Sequence, residues 1–372
     1  MGSIELTEKN KKSNNTGNIL KSDIPHIIKY MGSKKPIINY IVNAINDIHI
    51  REKPICDLFS GSCSISAALR KDFDFISNDI QVYSSILAQT YFSDLSNISF
   101  YDIQSVIIQQ VNTHVDYFKE SYENLFFDYS IIKNIEEYQR IESLQRDLYL
   151  NVEFKTDYHL FVKYYSGTYW SFEQCVWIDA LRKCAETFKE EKIYYAFMSS
   201  IMYAMSYTTQ STGHFAQYRD GNSIESMENI IIYRKRNIYE LFEKKLIELV
   251  SSLDNSLKHI ITTTLSFEEC LKLVPQYTTV YADPPYAPVH YSRFYHALET
   301  LVKYDYPSLK FKGRYREDRH QSPFSQKSKA INAFKKLYAG IIKRDAQLVM
   351  SYSGSGVVAI KDITQLAQEM FD

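Results

Sequence analysis

The chain lacks the marks of several protein classes. Its five cysteines (Cys56, Cys63, Cys175, Cys184, Cys270) form no Cys-x-x-Cys pair, a pattern of reduced thiols with no metal site. No apolar run is long enough to span a bilayer, and no signal peptide is read at the start. There is no internal repeat and no excess of positive charge: 43 Lys and Arg stand against 44 Asp and Glu, a net charge of -1. A dedicated nucleic-acid-binding domain carries a basic surplus, so any contact with a polyanion has to be local. What remains is the composition of a soluble cytoplasmic enzyme. At 372 residues and 45% hydrophobic, the chain can bury one large core and a smaller second lobe. The first 25 residues, rich in Lys, Asn and Ser, read as a flexible tail.

The most informative segment is Val280-Tyr281-Ala282-Asp283-Pro284-Pro285-Tyr286. An apolar strand runs into two prolines, which continue neither strand nor helix and so hold a stiff corner. In open α/β sheets the carboxyl ends of strands are where ligands bind. Such a corner lets a planar, amino-bearing ring stack on Tyr286 while Asp283 and the Pro284 carbonyl accept its two N–H bonds. Upstream, Pro54 to Ser64 reads as a short buried strand, a small-residue turn (Ser60, Gly61, Ser62) and a helix over Ile65 to Lys71. Small residues admit a ligand close to the backbone. Phe73 to Ile80 reads as a second strand ending in Asp79, placed either for two ribose hydroxyls or as a helix N-cap. Lys29 to Lys35 is a glycine turn opening an amphipathic helix (Ile37, Ile38, Ile41, Ile45).

Together these segments resemble the Dam-like adenine-N6 DNA methyltransferases. Lys29-Tyr30-Met31-Gly32-Ser33-Lys34 is similar to the family's amino-terminal cofactor motif, and Asp57-Leu58-Phe59-Ser60-Gly61-Ser62 to its methionine-binding strand and turn. Asn78-Asp79-Ile80 resembles the ribose-binding acid, Asp283 to Tyr286 the catalytic motif, and Leu348 to Ser353 the strand after it. The order of motifs is that of the alpha group, and Tyr291 to His296 followed by Leu298 to Leu301 is similar to restriction-associated methylases. The resemblance implies an α/β, Rossmann-like doubly wound sheet with a largely helical inserted target-recognition domain. The expected division is a catalytic domain over 26–90 and 237–372 and an insert over 91–236. It also implies S-adenosylmethionine as cofactor, held by Tyr30, Lys34, Asp57, Phe59, Ser60, Gly61, Ser62, Asp79, Ile80 and Asp283. Asp283, Pro284, Pro285 and Tyr286 are the expected catalytic set, acting on an adenine flipped from duplex DNA. The expected setting is restriction–modification. N4 of cytosine, RNA and a non-catalytic DNA-binding subunit are the competing readings.

Three departures stand out. Cys63 replaces the usual third glycine of the cofactor turn. The acid before the catalytic strand is not evident, Glu268 being the nearest guess. The chain ends one helix after the Ser351 strand, where the family's sheet continues into an antiparallel hairpin, so a complementing C-terminal polypeptide joins a cognate endonuclease as an expected partner. The insert reads as helices over Gln104 to Phe118, Ile131 to Leu150, Phe172 to Phe188 and Lys192 to Tyr207. The glycine-bounded stretch Gly213 to Arg219 looks substrate-facing, with Gln217 and Arg219 suited to base edges. Lys310 to Lys329 is a basic loop interleaved with aromatics, from which Lys312, Arg314, Arg316 and Arg319, together with Arg293, are expected to meet DNA.

Overall fold

The computed structural model describes residues 25–32, 34–210, 214–253, 258–289 and 291–371. The expected tail, except Pro25, lies outside the described residues, as do Ser33 and Gly213. The strands in chain order are β1 (Ile55–Asp57), β2 (Phe75–Asn78), β3 (Ile260–Thr263), β4 (Thr279–Ala282), β5 (Leu309–Lys310), β6 (Tyr315–Arg316) and β7 (Gln347–Met350). Five of them form one parallel sheet in the order β3-β2-β1-β4-β7, and β5 and β6 pair as a separate hairpin. The chain steps outward from β1 through β2 to β3, then returns to the other side of β1 for β4 and β7. The order therefore reverses between β1 and β4, the position where open α/β sheets open a crevice.

Side chains alternate across the sheet, as strand geometry requires. Ile55, Phe75 and Tyr281 enter one apolar cluster, and Cys56, Ile76, Val280 and Ala282 the other. The first face is covered by α1 (Ile38–Ile48), α2 (Ser64–Leu69) and α3 (Val82–Tyr91). The expected stripe of α1 is there: Ile38, Ile41, Val42 and Ile45 are buried.

The long middle stretch holds α4 (Phe100–Ser121), α5 (Ile135–Arg146), α6 (Leu148–Asn151), α7 (Leu160–Tyr165), α8 (Phe172–Ala185), α9 (Ile193–Thr208), α10 (Ile224–Arg234) and α11 (Ile238–Ser252). Three of the four expected helices stand close to their predicted limits. The stretch from Ile131 is different: the Asn134 side chain accepts the Glu137 amide (2.8 Å) and so starts α5 late, and the chain breaks at Asp147 into α6. Helix α8 begins with a capping box between Ser171 and Gln174, which satisfies two otherwise unpaired amides. Helix α9 is buried on nearly every side, packed between α8, α11 and α3. Its apolar surface continues the cluster on the first sheet face, so sheet and helices share one core.

The second face is covered by α12 (Phe267–Leu273), α14 (Ala330–Lys343) and α15 (Ile360–Phe371), while α13 (Ser292–Lys303) follows the Asp283 to Tyr286 corner and packs on α3. Helices on both faces of a parallel sheet make the doubly wound arrangement that the sequence predicts. Among the described residues no strand pairs with the outer edge of β7, so the hairpin expected beyond it is not among them. No helix of the described residues is long and apolar enough to cross a membrane.

Candidate active site

A cleft of about 1210 Å³, counting its open mouth, sits at the carboxyl ends of β1, β2 and β4. Every residue of the expected cofactor and catalytic sets lines it: Tyr30 and Lys34 from the amino-terminal motif, Asp57 to Ser62 after β1, Asp79 and Ile80 after β2, and Asp283 to Tyr286 after β4. Motifs separated by some 200 positions in sequence meet because β1 pairs with both β2 and β4, in a register that sets Asp57 beside Ser77 and Tyr281.

The turn after β1 is built by backbone strain and one carboxylate. Gly61 has φ +49°, and a Cβ there would run into the Tyr30 hydroxyl, so only glycine fits. Its amide donates to Asp79 Oδ2 (2.9 Å), while Asp79 Oδ1 accepts from the Gln81 amide (2.9 Å). Asp79 thus ties the β1 turn to the start of α3, and the N-cap of α3 is Gln81 rather than Asp79. Cys63 is left-handed at φ 58° and fully buried, with its thiol donating to the Ser84 carbonyl (3.3 Å). The expected glycine position is therefore a left-handed one, held by a β-carbon-bearing residue at a cost of roughly 1–2 kcal/mol.

Three carboxylates converge here, and the electrostatics follow from their burial. Asp57 is driven well above the ordinary carboxylate range by burial and by repulsion from Asp283 and Asp79. Asp79 is pushed up to about 6 by burial, opposed by the Gln81 and Gly61 amides. Burial also raises Asp283, against the pull of Lys34 and Ser351. Lys34 Nζ lies 2.5 Å from Asp283 Oδ2. Asp57 Oδ1 is buried and has no hydrogen-bond partner. A buried, unpaired carboxylate oxygen in a cleft lined by four acids (Asp57, Asp79, Glu268 and Asp283) and one lysine is a cost that a cationic ligand removes. A ligand that carries a cation and a pair of hydroxyls fits these acceptors: Asp57 could hold the cation and Asp79 the hydroxyls.

Tyr286 is half-buried, edge-on to Tyr352 at 5.7 Å, and its carbonyl accepts the Val357 amide (3.0 Å). The guess for the acid before the catalytic strand, Glu268, does line the cleft, although its carboxylate also pairs with Lys336 (2.7 Å).

The expected DNA contacts divide. Gln217 and Arg219 are exposed, on a segment pinned to α13 by the Phe215 amide donating to the Phe294 carbonyl (2.7 Å). Lys312 is exposed and pairs with Asp220, and Arg319 lies over the Phe311 and Tyr315 rings, next to His320 at the cleft. Arg293 is half-buried, its guanidinium over Phe294 and its Nε without a partner. Two assignments do not stand. Arg316 is 3% exposed and grips Asp305 with both amino nitrogens (2.6 and 2.7 Å) and Asp318 as well. Arg314 donates to the Tyr164 and Arg146 carbonyls (2.6 and 2.7 Å). Both arginines are engaged by acceptors of the chain itself: buried Arg316 by two acids that a buried guanidinium needs, and half-buried Arg314 by carbonyls that dock the β5–β6 hairpin against the helices.

Two further residues, not evident from sequence, build the site. Tyr295 stacks on Tyr30 (4.7 Å, 11°) and its hydroxyl accepts the Met31 amide (2.7 Å). Ser351 donates to Asp283 (2.8 Å). Both lie within motif segments, Tyr291 to His296 and Leu348 to Ser353, whose spacing does not reveal which way the side chains point.

The family profile described as D12 class N6 adenine-specific DNA methyltransferase matches residues 30–350. The chain belongs to this family. It is similar to the modification methylase LlaI of Lactococcus lactis subsp. lactis, 23% identical over 346 residues, covering 92% of this chain and 48% of that protein. The modification methylase StsI of Streptococcus sanguinis is 21% identical over 359 residues, covering 92% and 46%. The type II methyltransferase M.NlaIII of Neisseria lactamica is 20% identical over 361 residues, covering 91% and 87%. The chain spans about half the length of the first two.

Proposed function

We propose that this D12-class protein transfers the methyl group of S-adenosylmethionine to N6 of an adenine rotated out of double-stranded DNA, as the modification enzyme beside a restriction endonuclease. The observation that carries the reading is the single cleft in which Asp283 and Tyr286 stand against the Asp57, Gly61 and Asp79 turn. S-adenosylmethionine, when bound, supplies an already activated methyl group. The residues of the chain then have to bind, orient and exclude.

Tyr286 offers a ring face to the base. Asp283, with the Pro284 carbonyl, accepts the two N–H bonds of the amine and draws its lone pair out of the ring. Lys34 keeps the Asp283 carboxylate charged until the amine arrives. The helices over 91–236 form the target-recognition part, and Gln217, Arg219, Arg293, Lys312 and Arg319 contact the duplex there and at the cleft mouth. The reaction belongs to the cytoplasm, where such DNA is found.

The test is methyl transfer from labelled S-adenosylmethionine to unmethylated plasmid DNA, followed by nucleoside mass analysis. N6-methyladenine should form with the wild type. Asp283→Ala should lower the single-turnover rate by about a hundredfold or more while largely keeping cofactor affinity. N4-methylcytosine as the product, or an unchanged rate in Asp283→Ala, would overturn the assignment.

A further inference from the structure

Asp283 is held from both sides. On Oδ2 it meets Lys34. On Oδ1 it accepts the Ser351 hydroxyl at 2.8 Å, and Ser351 Oγ lies 2.9 Å from the Tyr281 hydroxyl. An ionised carboxylate is acceptor-only, so the single proton of Ser351 points at Asp283 and the Tyr281 proton must point at Ser351. The result is a one-way chain from Tyr281 through Ser351 to Asp283, in which each donor polarises the next.

The sheet itself fixes its geometry. Tyr281 lies in β4 two positions before Asp283, Ser351 follows β7, and the Ser351 amide donates to the Ala282 carbonyl (3.0 Å). Tyr281 is 2% exposed, and among the described residues its hydroxyl meets Ser351 Oγ alone.

We propose that Ser351, backed by Tyr281, is a positioning residue for Asp283: it ties down Oδ1, so that Oδ2 is the oxygen presented to the exocyclic amine. Rotation of the carboxylate would break the Ser351 bond, whereas the lysine on Oδ2 sits on a flexible stem and can yield. This deepens the methyltransferase reading and rests on it. The titratable groups facing Asp283 are Lys34, Asp57, Tyr30, Tyr281 and Tyr291. Loss of the Ser351 donor removes one of the contacts that, with Lys34, favour the ionised form, so the carboxylate should take up its proton at higher pH.

The experiment is single-turnover methyl transfer to duplex DNA across pH for the wild type, Ser351→Ala, Ser351→Thr, Tyr281→Phe and the double variant. Ser351→Ala should slow the step by roughly tenfold, with cofactor Kd within about threefold. It should also move the acid limb of the pH–rate profile upward. Ser351→Thr keeps the hydroxyl and should restore both rate and profile. Tyr281→Phe should have a smaller effect that vanishes in the Ser351→Ala background, since it acts through the serine. An unmoved acid limb in Ser351→Ala, a loss that threonine does not restore, or a Tyr281→Phe effect equal in both backgrounds would overturn the proposal. A second readout is independent of turnover: the carboxyl ¹³C titration of Asp283, assigned by its loss in Asp283→Asn, should shift upward in Ser351→Ala. An unshifted titration overturns the proposal. A wild type that makes no N6-methyladenine would sink the wider function instead.

Discussion

Asp79 accepts the Gly61 amide on one oxygen and the Gln81 amide on the other, so one carboxylate both shapes the turn and faces the cleft. Its titration near pH 6 has a definite sign. The folded value lies above the unfolded ~3.9, so its contribution to stability is fully present below that unfolded value and is lost as pH rises through about 6. In its proposed role on two ribose hydroxyls, which needs the ionised form, cofactor binding runs the other way. Affinity for S-adenosylmethionine, measured by calorimetry from pH 5 to 8, should rise through pH 6, and Asp79→Asn should bind weakly with no such rise. At this scale the sequence showed which residue types assemble, and Asp57, Gly61, Asp79 and Asp283 were readable from motif and spacing. Their second partners were not. That Cys63 is left-handed, or that Ser351 points at Asp283, depends on backbone torsions that no local pattern of residues encodes.

Helix α13 connects the pieces of the site. Adjacent residues on it point apart: Tyr295 takes the Met31 amide on the cofactor side, and His296, 1% exposed, lies 3.0 Å from the Phe215 carbonyl on the insert side. Glu299, one turn on, accepts the Tyr83 amide (3.2 Å) at the start of α3. Burial pushes His296 down to about 3, so the ring is neutral and donates from Nε2 to Phe215. The stability this gives is present above pH ~6.5 and is lost as pH falls towards 3. His296→Ala should cost about 1–3 kcal/mol in denaturant unfolding. It should also weaken DNA binding more than cofactor binding, since it releases the segment carrying Gln217 and Arg219. The helices themselves were legible because their apolar period and caps are local. The role of α13 was not, since it depends on residues from Met31 to Phe215 arriving around it.

The whole molecule carries almost no net charge, so the proposed contact with DNA has to come from a few placed cations, and counting arginines in a basic loop overstates them. Arg316 and Arg319 are three positions apart and should separate cleanly. Arg316→Ala should lower the melting temperature by several degrees, as an ion-paired buried group does when its partners are left behind, and leave the salt dependence of DNA binding as it was. Arg319→Ala should leave the melting temperature in place and reduce the slope of log affinity against log salt by about one. The doubly wound sheet was implied by the family resemblance that the motifs carry. Which cations face solvent was not, because the acids that claim Arg316 lie in two different turns. The strand order also sets the course of folding. β1 and β2 are complete by Asn78, yet their sheet neighbours β3 and β4 begin only at Ile260 and Thr279. During synthesis the amino-terminal pair waits, with both edges unpaired, while the helices between gather around α8 and α9. Contacts so distant in sequence close slowly, and an exposed strand edge is an invitation to aggregate. Slow translation through the middle of this chain is therefore a hazard to its opening strands, and a chaperone that shields them until Thr279 emerges would raise the yield of folded protein.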